Sequence, residues 1–336
     1  MLPTNTSFPD HVRWLRGAAR EQGVEVLVEL ESMRAFLRKG EAHWVLHPQF
    51  LSNVNGRTQA VAPFADSATH FGGWRPQPAA VDWPSSKHKL VFKRAAAKLG
   101  ISVPEFSEDD QIEMKDVVVK RPVGSSGELV DGPYRSSTER PLRHEQGEYY
   151  ERFIEGDILK AWYWGDQPVG VECDPTPTVV GDGQSTLQEL LLARIAGLDW
   201  SAPRVARLAQ RFKTIVAYDG RGLADVLPAG ERQRAEFRHG ADLMPHAQRK
   251  IVDLRGNVAA EWRVLASIAP QLQQLLPQDL PMPVLYAIDA VRDAQGRIFA
   301  LKMDSHPVMN LLAYRPMLAS LLSRPAPVAP ADSSAA

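Results

Sequence analysis

Two strand pairs, each closed by a tight turn, constrain this chain most. Residues 161–165 and 168–172 flank Gly165-Asp166, and residues 284–291 and 297–303 flank Asp293-Ala294-Gln295-Gly296. Such short turns join antiparallel neighbours, whereas parallel strands need a crossover of about a dozen residues. The helical signals around them are isolated. Residues 87–99 are full of good helix formers and stop at Gly100, with Pro104 beyond. Ser185 and Gln188 have capping-box spacing ahead of a helix to about residue 196, with Gly197 at its stop. Residues 259–276 are mostly helical, interrupted by Pro270. Residues 117–119 and 149–154 read as further strands. Hairpins, helices and scattered strands in this mixture predict an α+β fold, not a regular βαβ array.

The first 85 residues carry a weaker α/β pattern. Asp10 is placed to cap a helix to about residue 22, residues 24–30 read as a strand, and residues 44–47 as a short one. Residues 52–86 are loop-rich, with Gly72-Gly73, Pro76, Pro78 and Pro84, and predict a linker. At the other end, residues 324–336 are Pro/Ala/Ser-rich without periodicity and predict a disordered tail.

Composition narrows the function classes. Lys plus Arg is 39 against 40 for Asp plus Glu, a balance that argues against a bulk electrostatic binder of nucleic acid or of an anionic membrane. Cys173 is the only cysteine, which excludes an internal disulfide and a multi-thiolate metal site and fits a reducing compartment. No run approaches the roughly 18 apolar residues of a membrane span, and residues 1–10 lack the apolar core of a signal peptide. The expectation is a cytoplasmic protein. There is no G-x-G-x-x-G after the first strand, and no G-x-x-x-x-G-K-[ST], H-E-x-x-H or G-x-S-x-G. Dinucleotide dehydrogenases, P-loop NTPases, zincins and α/β-hydrolases are therefore disfavoured.

Several segments acquire meaning in their order. Lys89 lies on a predicted helix, and Lys120 ends a strand that runs into Gly124-Ser125-Ser126-Gly127. A lysine leaving a strand beside a small-residue loop suits phosphate, since the ammonium supplies charge and the loop lets backbone N–H groups approach. Taken alone, each lysine is a solvated surface residue and the loop a hairpin turn. In Glu151-Arg152-Phe153-Ile154-Glu155-Gly156-Asp157, a strand backbone could pair with an adenine edge, with Glu151 accepting from its amine and Asp157 near a ribose. Alone, it is an amphipathic strand with an acidic end. Residues 181–186 run into the capped helix, and residues 236–243 hold Arg238. The hairpin turn would bring Asp289 and Asp304 close on antiparallel neighbours, an arrangement that suits magnesium or, more plainly, a pair of turn-proximal acids.

Together these segments resemble the ATP-grasp superfamily, and within it the ATP-dependent ligase part of cyanophycin synthetase, more distantly glutathione synthetase and D-alanine–D-alanine ligase. The resemblance covers about residues 86 to 310. Its most specific piece is the G-D-G-x-S-T-x-x-E-L run from Gly181 to Leu190, strengthened by Pro228-Ala229-Gly230-Glu231, Phe237-Arg238 and Ala241-Asp242-Leu243. It implies an ATP-grasp fold, in which two α+β lobes clamp ATP behind a small N-terminal α/β domain. The division would be 1–85 for that domain and its linker, 86–155 for the small lobe, 156–322 for the large lobe and 323–336 for the tail. By the same resemblance, Lys89 and Lys120 contact phosphates and Ser125, Ser126 and Gly127 cover them. Glu151, Arg152 and Ile154 hold the adenine, and Asp157 lies near the ribose. Lys160 takes the place of an arginine facing phosphates or substrate, and Arg238 stabilises the transferring phosphoryl group. Asp289 and Asp304 bind magnesium. The implied activity is an ATP-dependent carboxylate–amine ligase acting on amino acids or a small peptide through an acyl-phosphate. A phosphotransferase and a nucleotide-binding protein with a decayed site are the alternatives. The resemblance allows a homodimer, which the sequence does not decide.

One motif departs from the family. Where Glu-x-Asn-x-x-Pro is usual, this chain has Lys302-Met303-Asp304-Ser305-His306-Pro307. Three consequences stay open. Asp304 replaces the missing carboxylate while Lys302 points elsewhere, Lys302 stands in for one of two magnesium ions, or the site no longer catalyses.

Overall fold

The computed structural model describes residues 7–54, 57–61, 64–66, 68, 70–78, 81–124, 130–196, 201–238, 243, 250–280 and 282–324. Its strands form three main sheets, all antiparallel. The N-terminal sheet pairs Glu25–Val28, Ala35–Lys39, Ala42–Val54 and Arg57–Val61 in that order, with His70–Arg75 also on Ala42–Val54. The first-lobe sheet has the order Phe106–Ser107, Tyr149–Arg152, Lys115–Lys120, Val130–Ser136. The second-lobe sheet has the order Lys250–Asp253, Gln167–Asp174, Gly156–Trp164, Leu285–Asp293, Ile298–Asp304. Both predicted hairpins are present in this last sheet, side by side.

The second-lobe sheet is sandwiched. One face of Gly156–Trp164 presents Leu159, Ala161 and Tyr163 to a core shared with Phe92 and Ala96 of the helix Lys89–Lys98 and Leu265 and Leu272 of the helices Arg263–Ser267 and Ala269–Gln273. The alternate residues Trp162 and Trp164 face the other way, as a period of two requires. They pack with Leu15 of the helix Phe8–Arg20, Trp74 of the N-terminal sheet and Tyr314 and Leu318 of the helix Tyr314–Leu322. His11 fixes this junction through Nδ1 and the Tyr314 hydroxyl, 2.8 Å apart, and burial lowers its pKa to about 4.

Several local expectations are corrected. The N-terminal helix is capped by Ser7, with Asp10 returning the second bond of the box, so Asp10 is inside the helix. The strand expected at 44–47 extends over Ala42–Val54, and the stretch read as a linker holds Arg57–Val61 and His70–Arg75. Those segments gain pairing partners from far along the chain, which local propensity does not register. The capping box of the helix Leu187–Ile195 is Thr186 with Glu189, one residue later than Ser185 and Gln188. Two further helices are present, Ala202–Tyr218 and Tyr314–Leu322. The first had a signal in Ser201 ahead of Pro203 and in the spacing of Val205, Leu208, Phe212 and Ile215. Cys173 is half-buried on a strand. Among the described residues no helix is long and apolar enough to cross a membrane.

Candidate functional site

The chain passes from the first-lobe sheet to the second through residues 153–155, and a cleft opens at that crossing. Gly156 starts the next strand because no side chain fits there, since a Cβ would lie 1.9 Å from the Arg292 carbonyl oxygen. The cleft is lined by Val118, Phe153, Ile154, Phe237, Val291 and Leu301 on its apolar side, and by Lys89, Lys120, Glu151, Arg238, Asp289 and Lys302. It is narrow, with a free volume of about 80 Å³.

The first-lobe wall collects lysines. On the strand Tyr149–Arg152, Glu151 points inward and is 2% exposed. Its Oε1 meets Lys120 Nζ at 2.6 Å and its Oε2 meets Lys93 Nζ at 2.9 Å. Burial alone would raise the Glu151 pKa, but the ammoniums of Lys120 and Lys93 outweigh it and hold the carboxyl below its usual range. Lys93 is a site residue the sequence reading missed. It has no solvent exposure, and it sits four residues after Lys89 on the same helix face. Glu151 thus lines the cleft while engaged with two cations. Lys89 Nζ donates to the carbonyls of Arg121 and Gly124, at 2.9 and 2.8 Å, with no carboxylate paired to it among the described residues. Burial, and then the ammoniums of Lys302 and Lys120, push its pKa down to about 7. Ser125, Ser126 and Gly127 lie outside the described residues.

The second-lobe side is a cross-strand row, of which Asp289 and Lys302 line the cleft. Glu172, Lys160, Asp289 and Lys302 are direct partners on four neighbouring strands, so they share a face and alternate in sign. Lys302 Nζ lies 3.0 Å from Asp289 Oδ2. Lys160 Nζ lies 3.1 Å from Asp304 Oδ2 and 3.8 Å from Asp289 Oδ1. Burial would depress the Lys160 pKa, but Asp304 and Asp289 outweigh it and raise it above the usual lysine value. Asp289 and Asp304 are therefore linked through Lys160, with Asp304 opposite Ala287 in the register.

These residues do not fit a protein-held magnesium ion. Both carboxylates already hold ammoniums, and among the described residues no group of three or more His, Cys, Asp and Glu is arranged to hold a metal. Magnesium requires oxygen ligands at about 2.1 Å in near-octahedral geometry, and a lysine beside the same oxygens repels it.

The remaining expected residues divide. Arg238 lines the cleft, 6% exposed, with its Nε donating to Glu236 Oε1 at 2.8 Å and a second bond from Nη2 to Oε2. Arg152 and Ile154 line the cleft, but the Arg152 N–H already donates to the Glu105 carbonyl at 2.8 Å. Asp157 points to the neighbouring strand, where Arg292 holds it at 2.7 Å, and it does not line the cleft. The Gly181-to-Leu190 run also lies outside the cleft. Gly181 is bonded to Glu231 and Gly230, Gly183 to Leu227, and Asp182 accepts from Gln184 and Ser185. This run and Pro228–Glu231 clasp each other, and the strand leading from them, Arg232–Arg234, runs on toward Arg238. Their role in the fold is to anchor that approach.

A second cavity of about 630 Å³ opens between the N-terminal sheet and the second lobe, lined in part by Arg34, His47, Gln49, Arg75, Ser305 and His306. Arg75 is 9% exposed and donates to the carbonyls of Leu285 and Pro307, with no carboxylate paired to it among the described residues. His306 bonds Asp82 at 2.8 Å, a carboxylate also held by Ser305 and Lys87.

No protein-family model and no curated protein matches the sequence. Solved structures that resemble it include a bifunctional glutathione synthetase from Pasteurella multocida, at 11% identity and TM-score 0.42, covering 95% of this chain and 43% of that one. A D-alanine–D-alanine ligase from Bacillus anthracis is 12% identical, with TM-score 0.35, over 70% of this chain and 65% of that one. The ATP-grasp ligase PsnB, complexed with a precursor variant, Mg and ADP, is 9% identical, with TM-score 0.35, over 71% and 58%. The chain thus spans less than two thirds of each, and at these scores the likeness decides nothing about activity. What the chain's own topology shows is two antiparallel sheets, joined through residues 153–155 around a lysine-lined cleft.

Proposed function

We propose that the chain is an ATP-dependent carboxylate–amine ligase acting on amino acids or a small peptide. The observation that carries this reading is Lys89. It is a lysine with no carboxylate partner among the described residues, set beside Lys120 and Lys302 at one end of an apolar slot. A cation whose proton is destabilised by its neighbours gains most from an anion, and an apolar slot ending in cations suits a base joined to phosphates. The slot is too narrow as it stands, so a nucleotide must part its walls.

In the proposed reaction a substrate carboxylate oxygen attacks the γ-phosphorus, the bond to the β-bridging oxygen breaks, and ADP leaves. An amine then attacks the acyl-phosphate carbonyl, loses its proton, and expels phosphate. Lys89, Lys120, Lys302 and Arg238 supply positive charge to the transferring group, and the apolar walls exclude water. The larger cavity supports the choice of substrate. Its volume accommodates a dipeptide-sized molecule, and Arg75 offers a buried guanidinium to a carboxylate.

The test is calorimetric titration with ATP, followed by mass-spectrometric screening of amino-acid and dipeptide pairs for coupled products. Phosphate release that requires both an acid and an amine supports the ligase. A phosphorylated product without free phosphate indicates a phosphotransferase, ATP binding with no turnover for any pair indicates a decayed site, and absence of ATP binding ends the reading altogether.

A further inference from the structure

The charge row across the second-lobe wall has a consequence for how the cleft binds its nucleotide. Three of the four oxygens of its two central carboxylates have a partner within 3.1 Å, and the fourth, Asp289 Oδ1, has an ammonium at ion-pair distance. Asp289 Oδ2 meets Lys302 Nζ at 3.0 Å, and its Oδ1 meets Lys160 Nζ at 3.8 Å. Asp304 Oδ2 meets Lys160 Nζ at 3.1 Å, and its Oδ1 accepts from the His306 N–H at 3.0 Å. Lys302 nevertheless faces the cleft, in company with Lys89 and Lys120. An ammonium is a compact charge with three donors, so Lys302 can keep Asp289 and still offer a hydrogen to a phosphate oxygen. A divalent ion bound by these carboxylates would have to displace an ammonium that its own charge repels.

We propose that Lys302, backed by Lys160, supplies the resident positive charge at the phosphate end of this cleft, in place of a protein-held divalent ion, so that the nucleotide binds without metal. The proposal rests on the nucleotide reading above and specifies how that site is charged. Lys302 contacts the phosphates directly. Lys160 lies two strands further in, beyond the strand of Asp289, keeps Asp289 and Asp304 neutralised, and acts as a positioning residue.

The test titrates the whole protein with β,γ-methylene-ATP by calorimetry, once in EDTA and once in excess magnesium. The wild-type protein should bind with affinities within about threefold of each other. Lys302→Glu should bind at least about tenfold more weakly in EDTA and recover in magnesium, because a carboxylate then faces the phosphates as a metal ligand. Lys302→Met should weaken binding under both conditions, and thermal melts confirm that both variants are folded. Wild-type binding that weakens more than tenfold in EDTA overturns the proposal and leaves the nucleotide reading intact. Binding under neither condition removes the nucleotide reading, and the proposal with it.

Discussion

The two walls of the cleft hold buried lysines in opposite ways. On the first-lobe wall, Glu151 serves both Lys93 and Lys120, and Lys89 beside them has only backbone carbonyls. On the second-lobe wall, Glu172, Asp289 and Asp304 surround Lys160 and Lys302. The first wall has an excess of positive charge, which its neighbours destabilise, while the second is compensated internally. An excess cation in an apolar slot is a demand for an anion, whereas a compensated row is a rigid support. The same residue type therefore has two uses in one cleft, set by how many carboxylates reach it.

Breaking the first wall should cost most. Glu151→Gln leaves Lys93, which has no exposure, without a counter-charge, and should destabilise the protein by about 3 kcal/mol in urea unfolding. Adding Lys93→Met should recover most of that loss, and a double variant no more stable than Glu151→Gln would show that the pair is not the cause. Next, Lys89→Met should weaken ATP binding by roughly 1.5–3 kcal/mol, the range for a hydrogen bond to a charged group, while changing stability little. Equal ATP affinity in this variant would remove Lys89 from the anion site.

Asp289→Asn tests the second wall. Lys160 keeps Asp304, and Lys302 is 19% exposed, so the loss should be smaller, about 1–2 kcal/mol in the same unfolding measurement. A loss matching that of Glu151→Gln would erase the contrast between the walls. The pH dependence sharpens the contrast further. Lys89 titrates at about 7, and the phosphate-binding form is protonated, so ATP affinity should fall by about tenfold from pH 7 to pH 8.5. The fall should vanish in Lys89→Met. Lys160, whose pKa is raised, stays charged throughout and contributes no slope. The smallest effect is expected away from both walls. Thr186→Ala should cost about 1 kcal/mol as a lost helix cap and leave ATP affinity unchanged. A loss of affinity there would return the Gly181-to-Leu190 run to the nucleotide site.

Much of the fold was legible locally. Gly165-Asp166 and the turn at 293–296 announce their hairpins because φ > 0 and short loops demand particular residues. The helix of Lys89 was legible through its formers and its Gly100 stop. The cleft was partly legible, as Lys89, Lys120, Glu151, Arg238, Asp289 and Lys302 converge there. Lys93 was not, since a lysine in a helix reads as solvated until its neighbours are known. The pairing of Asp157 was not legible for a similar reason: its partner Arg292 lies across a strand pair that only the register defines.

The sequence by itself determined the hairpins, the helix stops and the order of the segments, because turn residues, caps and helix formers act over a few positions. The register of Gly156–Trp164 against Leu285–Asp293 was decided by tertiary structure, since a strand's face depends on its partner. That register sets Lys160 against Asp289, and Asp289 against Lys302. It turns the unexplained Lys302 of the departing motif into the last member of a charge row at the cleft.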